Sequence, residues 1–421
     1  MRGLYVHIPF CVTKCSYCDF YSLPSRSDTI EGYVQAVLHE ANSFPLSQTG
    51  IKGDLQPFQT LYFGGGTPSL LGAKYLRLLT DGLSKSFKIK SIPPTRHSEY
   101  NEAISGLGGS PYYSVGSGFE PDRPNGRSPS LSLLESTIEV NPESATREFL
   151  EAAKDIGFNR ISFGVQSLSD DELKSVGRIH TAAQAVSAIK LAQQLGFKSI
   201  SADLIIGLPG QTSASLRKSL EILAGMEIQH LSVYCLSLED GTPLANNPRA
   251  DLPSDDIQAK LFEEAGKYLK TRGYLHYEIS NFAMKGFECM HNLNYWHGGE
   301  YLGLGPAAAS HLNGKRFKNY ADLDAYLENP AGQIEYIEEL SKTEKAAEEA
   351  MLRLRLLEEG LNISGLAAKF GEENVKGIRG RLDDMVREKA LELDGTTYRL
   401  TLSRIMTSNP IFARIISAAS E

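Results

Sequence analysis

Six short apolar runs recur over about the first 240 residues of the chain, and each leads into a stretch with the periodicity of an amphipathic helix. The runs are LYVHIPF at about residues 4–10, TLYFGG at 60–65, STIEVN at 136–141, RISFGV at 160–165, SISADLIIGL at 199–208 and HLSVYCLSL at 230–238. Continuous apolar runs belong to strands covered on both faces, and segments such as SATREFLEAAKDIG and TAAQAVSAIKLAQQLG supply the covering helices. Strands alternating with helices fold as a parallel sheet, and six repeats suit an open (β/α)6 barrel. In such a barrel chemistry gathers at the carboxyl ends of the strands, where loops vary without disturbing the core.

The alternation stops near residue 250. DLPSDDIQAKLFEEAGKYLKTRG reads as a long amphipathic helix, and from about residue 340 the pattern is three helices, a hairpin (LELDGTTYRLT) and a closing helix. We therefore expect an α/β barrel core over 1–245, a connecting region over 246–335 and an α+β, winged-helix-like module over 336–421. Residues 91–133, rich in Ser, Gly, Pro and Tyr, read as a flexible surface insertion within the first of these. Winged helices bind DNA in many proteins, but Asp383, Asp384 and Glu388 crowd the segment that would enter a groove, and the net charge is -8. Nucleic acid is therefore not the expected partner. Hydrophobic residues at 41% and charged residues at 22% describe a globular protein. No apolar stretch approaches the ~20 residues that span a bilayer, and no targeting segment is read ahead of Tyr5, so the expected location is the cytoplasm.

Three of the five cysteines, Cys11, Cys15 and Cys18, sit in HIPFCVTKCSYCDF, directly after the first strand. A closed zinc site wants four ligands, commonly two CxxC pairs, and the remaining cysteines, Cys235 and Cys289, form no second pair. A sparse, odd count also fits poorly with a disulfide framework. Three thiolates at x3 and x2 spacing can instead bind three irons of a cubane cluster and leave the fourth iron open for chemistry. At the end of the second run, Gly64, Gly65 and Gly66 followed by Thr67 read as backbone that a ligand can approach closely.

CxxxCxxC after a short strand, together with YFGGGTPSLL, resembles the radical S-adenosylmethionine (radical SAM) superfamily. That resemblance implies a 4Fe-4S cluster on Cys11, Cys15 and Cys18, with the open iron chelating SAM. The ordered set Glu139, Gln166, Arg178 and Asp203, at or near successive strand ends, narrows it to the anaerobic coproporphyrinogen III oxidase-like branch. By that likeness Tyr5, Tyr17, Gly65, Gly66, Thr67, Glu139, Gln166, Arg178 and Asp203 contact SAM, and an electron donor serves the cluster. Two departures point away from the oxidase: the chain begins at the cluster strand without the oxidase's extension, and Phe20 stands where the oxidase has a further cysteine.

His291-Asn292-x-x-Tyr295-Trp296 resembles the HNxxYW signature of the HemW family of haem chaperones, which pass haem to respiratory enzymes. An imidazole suits an axial position on haem iron, and Tyr295 and Trp296 suit its porphyrin face. His297, His311 and Cys289 stand near enough in sequence to compete for the iron. The resemblance thus implies haem as cargo, a haem-accepting respiratory protein as partner and room for a homodimer. The alternative it carries is oxygen-independent conversion of coproporphyrinogen III to protoporphyrinogen IX.

Overall fold

The computed structural model describes the chain apart from residues 26, 44–56, 88, 90–132, 333, 420 and 421. The 91–133 insertion, except for Leu133, lies outside the described residues.

All six apolar runs are strands: β1 (Arg2–Ile8), β2 (Thr60–Gly65), β3 (Glu135–Val140), β4 (Arg160–Gln166), β5 (Ser199–Ile206) and β6 (His230–Cys235). They lie side by side in chain order, every neighbouring pair parallel. This is the expected α/β arrangement of an open six-stranded barrel.

Pleating separates two faces. Leu4, Val6, Ile8, Phe63, Ile138, Ile161, Phe163, Ala202, Leu231 and Val233 are buried in the main core against the helices. Those helices include α1 (Ser27–Ser43), α2 (Gly72–Ser86), α3 (Arg147–Ile156), α4 (Ala182–Gln194) and α5 (Ser213–Gly225). The intervening positions carry polar or small residues. Register pairs Tyr5 with Tyr62, Tyr62 with Thr137 and Thr137 with Arg160, while one step along Glu139 pairs with Ser162 and Asp203 with Ser232. The inner face is therefore a polar wall, and the outer face carries the apolar packing.

Beyond residue 250 the structure adds more sheet than the sequence pattern suggests. After α6 (Asp255–Thr271), β7 (Leu275–Glu278) and β8 (Asn281–Ala283) pair antiparallel beyond β6. The short helix α7 (Met290–Trp296) leads to β9 (Glu300–Leu304), which pairs parallel to the free side of β1. There the Arg2 guanidinium holds the Glu300 carboxylate, with Nε 3.0 Å from Oε2. Strands β10 (Ala309–Leu312), β11 (Lys315–Asn319) and β12 (Ile334–Glu339) continue as an antiparallel meander, completing a twelve-stranded sheet. Much of the 246–335 segment, read as a connecting region, thus pairs with the barrel's own sheet. The C-terminal part contains the expected helices and hairpin: α8 (Lys342–Arg353), α9 (Ile363–Phe370), α10 (Glu372–Arg387), strands Leu391–Asp394 and Thr397–Leu400, and α11 (Ser408–Ser417).

Glu40 of α1 clasps the added strands to the barrel. Its buried carboxylate accepts from Gly305 N–H at 2.9 Å, Asn319 Nδ2 at 2.7 Å and Tyr326 Oη at 2.5 Å. Burial pushes its pKa up to about 7 even though these donors favour the charged form. Glu40→Ala leaves three donors without their acceptor and should cost about 3 kcal/mol or more. A shift in the denaturation midpoint measures this, and an unchanged midpoint would show that the clasp carries no stability.

Candidate functional site

The cysteine loop is tied down on three sides. At its base Phe10–Cys11 pairs with Leu23–Pro24, with Leu23 N–H donating to Pro9 O at 2.7 Å and Ser25 N–H to Cys11 O at 2.8 Å. At its tip Ser16 N–H donates to Val176 O at 3.1 Å, and Ser16 O accepts from Leu244 N–H at 2.8 Å. On the side facing β2, Gly66 N–H reaches Ile8 O at 2.8 Å and Thr67 N–H reaches Phe10 O at 2.6 Å. All three cysteines are free thiols. Burial, with Cys15 and Cys11 close by, pushes the Cys18 thiol up to about 11.

The three glycines after β2 earn their place through the protein's own packing. A Cβ on Gly64 would stand 3.0 Å from the Glu139 carboxylate and 2.8 Å from the Tyr62 ring. On Gly65, whose φ is +107°, it would meet the His7 ring at 2.6 Å, and on Gly66 the Phe10 carbonyl at 2.5 Å. The glycines let the cysteine loop settle onto the end of β2, while Gly65 and Gly66 still line the cavity beside it.

That cavity, about 360 Å³, is walled by Cys11, Cys15, Cys18, Tyr17, Gly65, Gly66, Glu139, Gln166, Arg178 and Asp203. Arg178 is its organising cation. It donates to Cys15 Sγ at 3.7 Å, Asn141 Oδ1 at 2.9 Å and Gly164 O at 2.7 Å, and its buried Nε has no hydrogen-bond partner among the described residues. Opposite charge comes from Glu139, which accepts from Tyr62 Oη at 2.6 Å and Gly65 N–H at 3.2 Å. Burial, reinforced by nearby Asp203, raises its pKa to about 7, and burial raises Asp203 as well. Gln166, which lines the cavity, adopts φ 64°, a left-handed conformation that costs on the order of 1 kcal/mol outside glycine.

Two residues expected at this cavity stand elsewhere. Thr67 is buried, donating to Cys11 Sγ at 3.6 Å and accepting from Asn141 Nδ2 at 2.8 Å, so it supports the wall from behind. Tyr5 donates toward His7 Nδ1 at 3.0 Å and lines a second cavity. Asn141, which links Thr67 to Arg178, was not singled out by the sequence pattern; its place one residue beyond β3 is the signal that could have found it.

The second cavity, about 1030 Å³, adjoins the first, sharing Lys14, Asp19 and Phe20. Tyr295 and Trp296 line it, together with Tyr301, His311, Phe317, Tyr336 and Phe370. His291 and Asn292 do not. The His291 ring is buried between Thr60 Oγ1, 2.8 Å from Nδ1, and Tyr295 Oη, 2.7 Å from Nε2, and burial lowers its pKa to about 3. Cys289 is buried against Glu135, and His297 pairs with Glu359 at 2.9 Å.

Comparison with known proteins places this geometry. The model of the radical SAM superfamily matches residues 5–223. Relatives named heme chaperone HemW include those of Lactococcus lactis, 30% identical over 99% of this chain and 97% of its own, and Escherichia coli, 32% identical over 95% and 94%. The chain belongs to the radical SAM superfamily and, within it, to the HemW family. The HemW of Haemophilus influenzae is 34% identical over 85% of this chain and 83% of its own. Coproporphyrinogen III oxidase (HemN) from Escherichia coli shares the fold, with a TM-score of 0.76 over 99% of this chain and 89% of that one at 20% identity.

Radical SAM membership implies a 4Fe-4S cluster and SAM, and the residues fit both. Among the described residues no three Cys, His, Asp or Glu are grouped to hold a single metal ion. Three thiols on one loop beside an open cavity suit a cubane, which offers each thiolate a different iron. The unpartnered Arg178 Nε and the Glu139 and Asp203 carboxyls supply both signs of charge for an amino acid carrying ammonium, carboxylate and sulfonium.

Gly66→Ala should push the loop off β2 and lower the iron bound per chain after anaerobic reconstitution, while secondary structure by circular dichroism stays intact. Gly225→Ala, where a Cβ meets nothing within 4 Å, is the control. Equal iron content in the two variants would show that the loop does not depend on this approach.

Proposed function

We propose that this chain is a haem chaperone of the HemW type, holding a 4Fe-4S cluster and SAM in the smaller cavity and haem in the larger. The observation that carries the haem half is the second cavity, aromatic-walled and adjoining the cysteine loop, joined to similarity with HemW relatives over nearly the full chain. Its size is at the upper end of ordinary ligand sites. Aromatic rings cover a porphyrin face, and lysines and arginines at the rim suit propionate carboxylates.

In this reading Cys11, Cys15 and Cys18 hold the cluster, while Tyr17, Gly65, Gly66, Glu139, Gln166, Arg178 and Asp203 surround SAM. A cluster held by these cysteines would supply one-electron chemistry toward the sulfonium of SAM, with an external electron donor to reduce it. Arg178 offers Nε to the SAM carboxylate while its other nitrogens stay fixed by Cys15, Asn141 and Gly164. Tyr295 and Trp296 face the haem, and His291 holds the Tyr295 hydroxyl in place from behind. Tyr5 stands at the wall of the haem cavity, and Thr67 steadies Cys11. A cytoplasmic exchange with a haem-requiring respiratory protein completes the reading. No helix among the described residues is long and apolar enough to cross a membrane.

The deciding experiment uses the cluster-reconstituted full chain with SAM, a strong reductant and coproporphyrinogen III under anaerobic conditions, followed by haem titration. Retained haem without protoporphyrinogen is the expected result. Many turnovers to protoporphyrinogen IX would make the chain an oxidase, in line with its HemN-like fold, and no haem retention would remove the chaperone reading.

The carboxyl of Glu139 gives SAM binding a pH dependence. Burial holds its pKa at about 7, above the ordinary carboxylate value, so the group ionises as pH rises through neutrality. An ionised Glu139 favours a cationic ligand, so SAM affinity should increase between about pH 6 and 8. Glu139→Gln should flatten that slope in calorimetric titrations; the same slope in both proteins would assign the dependence to another group.

A further inference from the structure

Four histidines stand on or near the larger cavity, and three are committed to protein partners. His7 meets Tyr5 Oη with Nδ1, at 3.0 Å, and Tyr21 O with Nε2, at 2.8 Å. His291 is held at both nitrogens, and His297 turns its Nε2 to Glu359. His311 differs. It lies on β10 opposite Tyr301 of β9 and lines the cavity. Its Nδ1 is 3.3 Å from the Gly299 carbonyl, and no hydrogen bond to its Nε2 occurs among the described residues. A proton held on Nδ1 by a carbonyl fixes the tautomer that presents the Nε2 lone pair outward, which is the arrangement of a histidine that binds a metal.

We propose that His311, and not His291, is the axial ligand of the haem iron, through Nε2. The inference rests on the larger cavity being the haem site. The surroundings agree with it. Tyr295, Tyr301 and His311 form a row on one wall, with ring centroids 4.5 Å apart for the first pair and 6.1 Å for the second, all edge-on. Burial, with Arg316 and Lys345 adding repulsion, lowers the His311 pKa, so its imidazole is neutral and able to coordinate at neutral pH. Lys345 also lines the cavity and forms no ion pair among the described residues, whereas Arg316, Lys318 and Lys369 there are paired with glutamates. It suits a propionate. His291, by contrast, would have to give up its bond to Tyr295 and leave a buried site to reach iron.

The test titrates ferric haem into the full chain and records absorption and electron paramagnetic resonance spectra for wild type, His311→Ala, His311→Gln, His291→Ala and Lys345→Glu. Both His311 variants should lose the imidazole-ligated spectrum and bind haem at least about tenfold more weakly. His311→Gln keeps an amide to donate to Gly299, so its loss separates ligation from folding. Added imidazole should restore the wild-type spectrum to His311→Ala. His291→Ala should keep that spectrum, and Lys345→Glu should keep it with weaker affinity. A wild-type spectrum in both His311 variants overturns the assignment while leaving the haem reading intact. Wild-type protein that holds no haem overturns both.

Discussion

The amides of Gly66 and Thr67 donate to the carbonyls of Ile8 and Phe10, and through those two bonds the end of β2 grips the strand that carries the first cysteine. Gly66 has no Cβ because the Phe10 carbonyl occupies its place. Thr67 uses its hydroxyl in the same direction, donating to Cys11 Sγ and accepting from Asn141, which in turn accepts from Arg178. Arg178 then returns to the loop at Cys15. A closed circuit therefore runs from Cys11 to Cys15 through β2 and the segments following β3 and β4, and the positions of two thiols depend on the geometry of four chain segments. Loops move more easily than sheets, and this one is held by its circuit of contacts to the sheet.

The inner face of the sheet carries polar groups that a barrel built only for stability would replace with apolar ones. Glu139 and Asp203 are raised toward their neutral forms by burial, and Gln166 holds a backbone conformation that its side chain disfavours. These features concentrate within one cavity. Glu135, outside that cavity, is engaged at both oxygens: it accepts from the first amides of α7 at 3.0 Å, where a carboxylate also meets the positive end of the helix. At Glu135 buried charge holds the frame, whereas in the cavity Arg178 keeps a nitrogen uncommitted among the described residues.

The six core strands were legible because each is a continuous apolar run bounded by helical periodicity. Strand β9 was not, since EYLGL is short and contains a glycine, and its pairing with β1 joins residues nearly 300 positions apart. The spacing of Cys11, Cys15 and Cys18 and the order of Glu139, Gln166, Arg178 and Asp203 after successive strands were legible in the sequence, and the structure gathers them round one cavity. What spacing cannot give is which way a side chain faces. His291 belongs to a signature whose Tyr and Trp reach the larger cavity, but a helix turns residues four apart onto the same side without equal exposure, and a Cβ-less Gly3 lets the imidazole sink toward β1. The glycine run was read for ligand approach, whereas the contacts it relieves are mostly with the protein itself.

The two cavities share the wall formed by Lys14, Asp19 and Phe20, all on the cysteine loop. Phe20 is 61% exposed, an apolar side chain left open where most of its kind are covered. Covering such a ring is worth about 1.5–3 kcal/mol, and a ligand in either cavity can gain part of it. The same loop carries Cys11, Cys15 and Cys18, so the wall that the two cavities share is continuous in the chain with the three thiols. Phe20 thus stands on the wall between the two cavities.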